Sequence, residues 1–260
     1  MGTFLFDRII FGPVKSRRLG VSLGINLLPG DKKVCNFNCI YCECGWSQPV
    51  GREGGYLPRI EEVSEYLASR LQEMKIRNEK PDVLTFAGNG EPTLHPEFAE
   101  IIDSCIGIRN RFFPEARIAV LSNATTLTNP AVKDALLKVD MNIQKLDSAI
   151  DGTIRIHNQP RVEIHASELI ENLRKLNGRV IIQTLFLRGR LKNRVIDNTT
   201  VGEISAWLAA LERIKPSSVM IYTISRDTPA GGLLAKVPVE ELNHIASLVE
   251  KLGIKTQVSG

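Results

Sequence analysis

The feature that most constrains this chain is a repeated alternation of short apolar runs with amphipathic helical runs. The apolar runs are Gly20–Leu28, Asp82–Ala87, Arg117–Leu121, Met141–Leu146, Arg179–Leu187 and Val219–Thr223. Near-continuous apolar strands suit a sheet buried on both faces. Between them, residues repeat at helical spacing: Ile60, Val63, Leu67, Leu71 and Met74; then Phe98, Ile101, Ile102, Cys105 and Ile108; then Val132, Ala135, Leu136 and Val139. The series continues with Leu169, Ile170, Leu173 and Leu176, with Val201, Ile204, Leu208 and Leu211, and with Leu242, Ile245, Leu248, Val249 and Leu252. Pro58 and Asn129-Pro130 mark helix starts, Asn177-Gly178 and Gly253 mark stops, and Thr200 with Glu203 has capping-box spacing. Such βα units in series predict a parallel α/β architecture. No Ser/Gly-rich linker divides the chain, so residues 1–260 read as one domain: a lead-in (1–19), a core (20–228), and a C-terminal helix and tail (229–260). In folds of this kind chemistry gathers at the C-terminal ends of the strands.

Composition narrows the class. Apolar residues make up 43% and charged residues 24%, which excludes a disordered or collagen-like chain. No apolar run is long enough to span a membrane, and the N-terminus lacks the order of a signal peptide, so a cytoplasmic location is expected. A net charge of +4 permits nucleic acid as a partner without requiring it. The five Cys are an odd number, and four of them lie between positions 35 and 44. A secreted disulfide framework spreads even numbers of Cys through a smaller chain, so this cluster reads as a metal site.

Cys35, Cys39 and Cys42 form C-x3-C-x2-C on the loop after the first core strand. Structural zinc normally takes four ligands in separated pairs, and Cys42-x-Cys44 is a poor knuckle. A cubic iron–sulfur cluster held by three Cys keeps one iron open to a ligand. Zinc and a plain electron-transfer cluster are the alternatives. The segment Cys35-Asn36-Phe37-Asn38-Cys39-Ile40-Tyr41-Cys42 resembles the C-x3-C-x-Φ-C motif of the radical S-adenosylmethionine (SAM) enzymes, with Tyr41 as the aromatic Φ. That resemblance implies an α/β fold of the open partial (βα)6 TIM-barrel type. It implies a [4Fe-4S] cluster on Cys35, Cys39 and Cys42, and SAM as cofactor. It also implies a one-electron donor of flavodoxin or ferredoxin type. In that family the reduced cluster cleaves SAM to methionine and a 5′-deoxyadenosyl radical, which takes hydrogen from a substrate. Cys44 is expected not to ligate, and Cys105, on an apolar helix face, is expected in the core.

The other strand ends carry matching features. Gly88-Asn89-Gly90-Glu91-Pro92 follows the second strand; two Gly allow a tight turn and close backbone approach. A plain turn before a helix reads the same way. By resemblance to the family's G-G-E-P element, Gly88, Asn89, Gly90 and Glu91 would meet the SAM amino group. His95 is read as a helix-start residue. Ser122 and Asn123 end the third strand; they read equally as turn formers or, by resemblance, as holders of SAM's carboxylate or ribose. Lys145 and Asp147 end the fourth strand. By similarity Asp147 would take a ribose hydroxyl and Lys145 a carboxylate, with an internal ion pair as the alternative. Gln183 and Tyr222 are lumen candidates on the fifth and sixth strands.

The phrase Gly12-Pro13-Val14-Lys15-Ser16-Arg17-Arg18-Leu19-Gly20 resembles a subset of the family that includes enzymes similar to the wyosine-forming tRNA synthases. Those hold a second cluster on extra N-terminal cysteines, and no Cys precedes Cys35 here. Arg17, Arg18, Arg188 and Arg226 are candidate substrate contacts. Arg188, Arg190, Lys192 and Arg194 form a basic run that would bind phosphate or RNA, or else lie solvated. RNA or a nucleotide is the first substrate class, and a peptide or a glycyl-radical protein the second.

Overall fold

The computed structural model describes residues 4–47, 55–191 and 194–260. Its centre is one sheet in which the parallel strands β2 (Gly20–Ile25), β3 (Val83–Phe86), β4 (Arg117–Ser122), β5 (Met141–Lys145), β6 (Ile181–Leu191) and β8 (Ser218–Thr223) lie side by side in that order. These are the six strands expected from the apolar runs. Helices α1 (Ile60–Ile76), α2 (Phe98–Phe112), α3 (Pro130–Leu136), α5 (Ala166–Arg174), α6 (Val201–Ile214) and α7 (Val239–Glu250) match the six periodic segments. Structure and resemblance agree on an open α/β barrel: among the described residues, the sheet ends at β1 (Ile10–Ser16) on one side and β10 (Lys255–Ser259) on the other, and no ladder joins them.

Five elements depart from the expectation. The lead-in is not a simple arm, because β1 pairs antiparallel with β2. Its register slips between Phe11 and Val14, where Gly12-Pro13 removes a backbone donor, a combination suited to an edge strand. The tail contributes β10, parallel to β8. Strand β6 runs on past the barrel to Leu191 and there pairs antiparallel with β7 (Arg194–Asp197) and β9 (Leu234–Lys236). A seven-residue helix, α4 (Asp151–His157), follows β5 and is too short to show a periodic pattern.

Alternation along the strands separates two interiors. Leu23, Ile25, Leu84, Phe86, Ile118, Val120, Ile182, Val219 and Ile221 face outward and pack under Val63, Leu67, Leu71, Phe98, Ile101, Trp207 and Leu211. The opposite side chains face the lumen. Val83, Ala119, Met141, Ile143 and Met220, with Leu19, form a separate apolar plug. Beyond the plug, toward the C-terminal ends, the lumen becomes polar and receives the cysteine loop. Asn177 and Gly178 end the turn after α5 in left-handed conformation, as the stop signal implied. The capping box on α6 is half formed: the Thr200 hydroxyl accepts from Glu203 N at 3.4 Å. The Glu203 carboxylate turns inward to Ser148 at 2.6 Å and to Thr153.

Candidate functional site

The cysteine loop follows β2 and is held on two sides by backbone. On one side Val34 N donates to Asn89 O at 2.8 Å and Glu91 N to Val34 O at 3.0 Å. This bridge explains the glycines. Gly90 has φ +140°, and a Cβ there would stand 1.8 Å from Val34 O; at Gly88, φ +157°, it would meet Asn26 Oδ1 at 2.4 Å. On the other side Asn38 N donates to Asn158 O at 2.8 Å, Ile40 N to His157 O at 3.0 Å, and Arg161 N to Asn36 O at 2.8 Å. The helix α4, invisible in the sequence pattern, thus supplies half of the cradle.

Between these walls lies a cavity of about 280 Å³. Cys35, Cys39 and Cys42 line it together with Lys33, Tyr41, Gly88, Gly90, Glu91, Ser122, Asn123, Lys145, Gln183, Tyr222 and Arg18. A larger groove, about 600 Å³, lies elsewhere against α1 and carries none of the cysteines.

The thiols sit in a prepared electrostatic setting. Burial pushes Cys35 up to about 12, with Lys33 opposing it, and burial likewise raises Cys39. A hydrogen bond from Cys44 holds the Cys42 thiol below its ordinary value, against the effect of burial. Cys44 is correspondingly raised, and its Sγ stands 3.2 Å from Gly88 O. Lys33, which was not singled out in the sequence, is 3% exposed and donates to Gly45 O at 3.1 Å. Burial works against its charge, yet Cys42, Cys35 and Cys39 hold the ammonium and raise its pKa overall. Donors also reach the sulfurs: Phe37 N to Cys35 at 3.4 Å, Asn123 Nδ2 to Cys35 at 3.7 Å, and Asn158 Nδ2 to Cys39 at 3.5 Å.

This donor set fits an iron–sulfur centre. N–H groups aimed at cysteine sulfur and a buried cation are the means by which a protein stabilises an anionic thiolate-ligated cluster. Among the described residues no three Cys, His, Asp or Glu side chains converge on one ion.

Several expected site residues take other parts. Asp147 does not line the cavity. Its oxygens accept from Leu185 N at 3.0 Å, Asn158 Nδ2 at 2.7 Å and the Tyr41 hydroxyl, leaving none aimed at a ribose. Lys145 reaches it at 3.7 Å, so the internal ion pair is what forms. Burial opposes the Lys145 charge, but Asp147, Tyr222 and Cys39 outweigh it and raise the pKa. Asn89 is also turned away: its amide donates to Phe6 O and Pro29 O, both at 2.8 Å, and pins the N-terminal segment. Arg188 is not a free phosphate ligand, because Asp197 and Glu241 bracket it at the β6–β7 hairpin. Lys192 lies outside the described residues. Arg226 pairs with Glu43 at 2.8 Å, and Arg17 bonds Ser225 Oγ at 2.6 Å and Gly260 O.

Glu91 remains at the cavity wall. Its carboxylate accepts from Asn123 N at 2.6 Å and Thr93 Oγ1 at 2.5 Å, while burial raises its pKa against those bonds. Ser122 and Asn123 form the turn, accepting from Ala124 N (3.1 Å) and Thr125 N (3.1 Å), and both also line the cavity. His95 joins Pro58 O at 3.0 Å to Glu97 N at 3.1 Å and ties α1 to α2, away from the cavity. Cys105 is fully buried in the outer core.

Residues 32–197, more than half of the chain, match the Radical SAM superfamily, and the chain belongs to that family. A UPF0026 protein of Helicobacter pylori (strain ATCC 700392 / 26695) is 32% identical over 251 residues, covering 94% of this chain and 74% of that protein. Among solved structures, a radical SAM methyltransferase from Sphaerobacter thermophilus superposes with TM-score 0.66 at 15% identity, over 92% of this chain and 65% of that one. The chain therefore spans just under two thirds of that methyltransferase. Archaeal TYW1 superposes with TM-score 0.54 at 15% identity, over 88% and 71%. At such identities the two structures speak for the shared fold.

Proposed function

We propose that this chain is a SAM-cleaving radical enzyme whose [4Fe-4S] cluster sits on Cys35, Cys39 and Cys42. The observation that carries the reading is the convergence of Cys35, Cys39 and Cys42, with Cys44 beside them, from one loop on a common cavity next to the buried Lys33 ammonium. When bound and reduced, the cluster would supply one electron that splits SAM into methionine and a 5′-deoxyadenosyl radical able to take hydrogen from a substrate. The rest of the work falls to the chain. The Gly88–Glu91 turn brings backbone carbonyls to the cavity wall, together with the Glu91 carboxylate, whose oxygens already accept from Asn123 and Thr93 and keep lone pairs for an ammonium group. Ser122 and Asn123 face a carboxylate or ribose, and Lys145 supplies a positive charge already balanced by Asp147. Gln183 and Tyr222 line the remaining wall. Tyr41 serves by packing: its hydroxyl is committed to Asp147, which fixes the loop between Cys39 and Cys42. The apolar plug below excludes water from the reacting end. The electron comes from a flavodoxin or ferredoxin, and the substrate is RNA or a nucleotide.

The test is anaerobic reconstitution with iron and sulfide, reduction, and addition of SAM. Brown protein that forms 5′-deoxyadenosine is expected, with formation abolished in Cys39→Ala. A colourless zinc protein, or a brown one that leaves SAM intact, contradicts the proposal.

A further inference from the structure

The β1–β2 turn crosses the open side of the barrel and ends against the last strands. Gln257 Nε2 of β10 donates to Arg18 O at 3.1 Å, and Arg17 is fastened to Ser225 and Gly260. This anchoring sends the Arg18 side chain into the thiol-lined cavity, where its guanidinium lies 4.3 Å from the centroid of the Tyr222 ring. The Tyr222 hydroxyl accepts from Lys145 Nζ at 3.4 Å, so the stack is fixed from below as well. Three arginines sit at this rim, and their partners differ. Arg17 and Arg226 are committed to protein oxygens. Arg18 is not: its Nη1 is sealed from solvent and has no hydrogen-bond partner, and among the described residues no carboxylate pairs with its guanidinium. The carboxylates around it are taken, Glu43 by Arg226, Asp147 by Lys145 and Tyr41, and Glu91 by Asn123 and Thr93. A buried guanidinium nitrogen without an acceptor is unfavourable, so Arg18 Nη1 calls for a partner that the chain itself does not supply. A planar guanidinium stacked on an aromatic ring and presenting free N–H groups is built for an oxyanion.

We infer that Arg18, stacked on Tyr222, forms an oxyanion subsite in the cavity that binds a carboxylate or phosphate group of the substrate. The inference rests on the proposed radical chemistry only in calling that ligand a substrate; the subsite itself stands on the geometry. A small recess of about 50 Å³, lined by Arg17, Arg18, Tyr41 and Glu43, adjoins it and gives room for the group.

The test is isothermal titration of the reconstituted protein with inorganic phosphate and, separately, with acetate, each with and without saturating SAM. Variants are Arg18→Gln, Arg18→Lys and, as a control on α5, Arg174→Gln, whose guanidinium pairs with Glu171. Wild-type protein should bind at least one of the two anions, and binding should persist when SAM is present. Arg18→Gln should weaken binding at least tenfold, Arg18→Lys less, and Arg174→Gln not at all. Preference for phosphate over acetate identifies a phosphorylated substrate, and the reverse a carboxylate. Absence of binding to wild-type protein, equal binding by Arg18→Gln, or displacement by SAM overturns the subsite; displacement would make Arg18 a contact to SAM's own carboxylate. Anion binding needs no turnover. A wild-type protein that binds phosphate but never forms 5′-deoxyadenosine sinks the radical reading and leaves the subsite, whereas the opposite pattern does the reverse.

Discussion

The same six strands present two faces, and the faces are built on different terms. The outer face is buried under the helices and mainly apolar, as at Leu84, Phe86, Ile118 and Val219, with Asn142, Gln144 and Thr184 as its polar exceptions. The lumen face at the C-terminal ends carries Gln183, Lys145, Tyr222 and the cysteine loop, each polar group held by a named partner or left toward the cavity. One face supplies stability through area removed from water. The other costs stability and accepts that cost to hold charge at a site. Changes on the outer face should therefore unfold the chain without altering its chemistry, and changes in the lumen should do the opposite, except where they leave a charge unpaired.

The largest expected effect is on the outer face. Phe86 is fully buried and meets Phe98 edge-on at 6.4 Å. Phe86→Ala should cost about 3–5 kcal/mol in urea unfolding, while the remaining folded protein keeps the visible absorbance of a reconstituted cluster. A loss under about 1 kcal/mol would show that the outer face does not carry the stability assigned to it.

Lumen variants divide by whether they break a pair. Asp147→Ala strands the Lys145 ammonium and unties Tyr41, and should cost about 3 kcal/mol. Asp147→Ala combined with Lys145→Met should recover much of that loss; failure to recover would assign Asp147 a role other than charge partner. Gly90→Ala drives a Cβ into Val34 O, so it should lower iron content per chain in reconstitution more than it lowers the unfolding midpoint.

Acid provides a milder probe. Burial lowers the pKa of His157, which sits under the cysteine loop with its Nδ1 unpartnered, and it lowers that of His95 as well. Both are held neutral in the fold while the unfolded chain protonates near pH 6.5. The unfolded state then binds more protons, so stability is complete above about pH 6.5 and declines as pH falls toward the lowered folded values. Thermal melts from pH 7.5 to 5.5 should show the decline, reduced in His157→Gln. The smallest effect belongs to Arg188, whose ion pairs are partly exposed: Arg188→Ala should change stability by at most about 1 kcal/mol and leave the cluster spectrum unaltered.

The outer face was the more legible of the two. Its side chains repeat with the period of the element that carries them, so six strands and six helices could be placed from spacing alone. β1 was hidden because Gly12-Pro13 interrupts any alternation, and β10 because Lys255–Ser259 is polar and half exposed. The lumen was legible only where short-range pattern coincides with chemistry, as in the cysteine spacing and the Gly88–Glu91 turn. Asn158 touches Cys39, Tyr41 and Asp147 at once, yet those partners lie up to 119 positions away and no local signal announces them. Asp147 and Asn89 stand where strand ends were expected to meet a cofactor; what spacing does not encode is that neighbouring chain segments already occupy their oxygens and amide. Lys33 could have been noticed as a cation beside the first cysteine, but its burial depends on the fold.

Under the proposed function Cys35, Cys39 and Cys42, and neither Cys44 nor Cys105, hold a cluster with an open iron in the lumen. The most direct test of that assignment is iron and sulfide analysis with electron paramagnetic resonance of the reduced protein, before and after SAM, across single Ala variants of all five cysteines. An intact cluster with a SAM-shifted spectrum is expected in wild type, Cys44→Ala and Cys105→Ala, and no stable four-iron cluster in Cys35→Ala, Cys39→Ala or Cys42→Ala. Loss of the cluster in Cys44→Ala, or a wild-type spectrum indifferent to SAM, would contradict it.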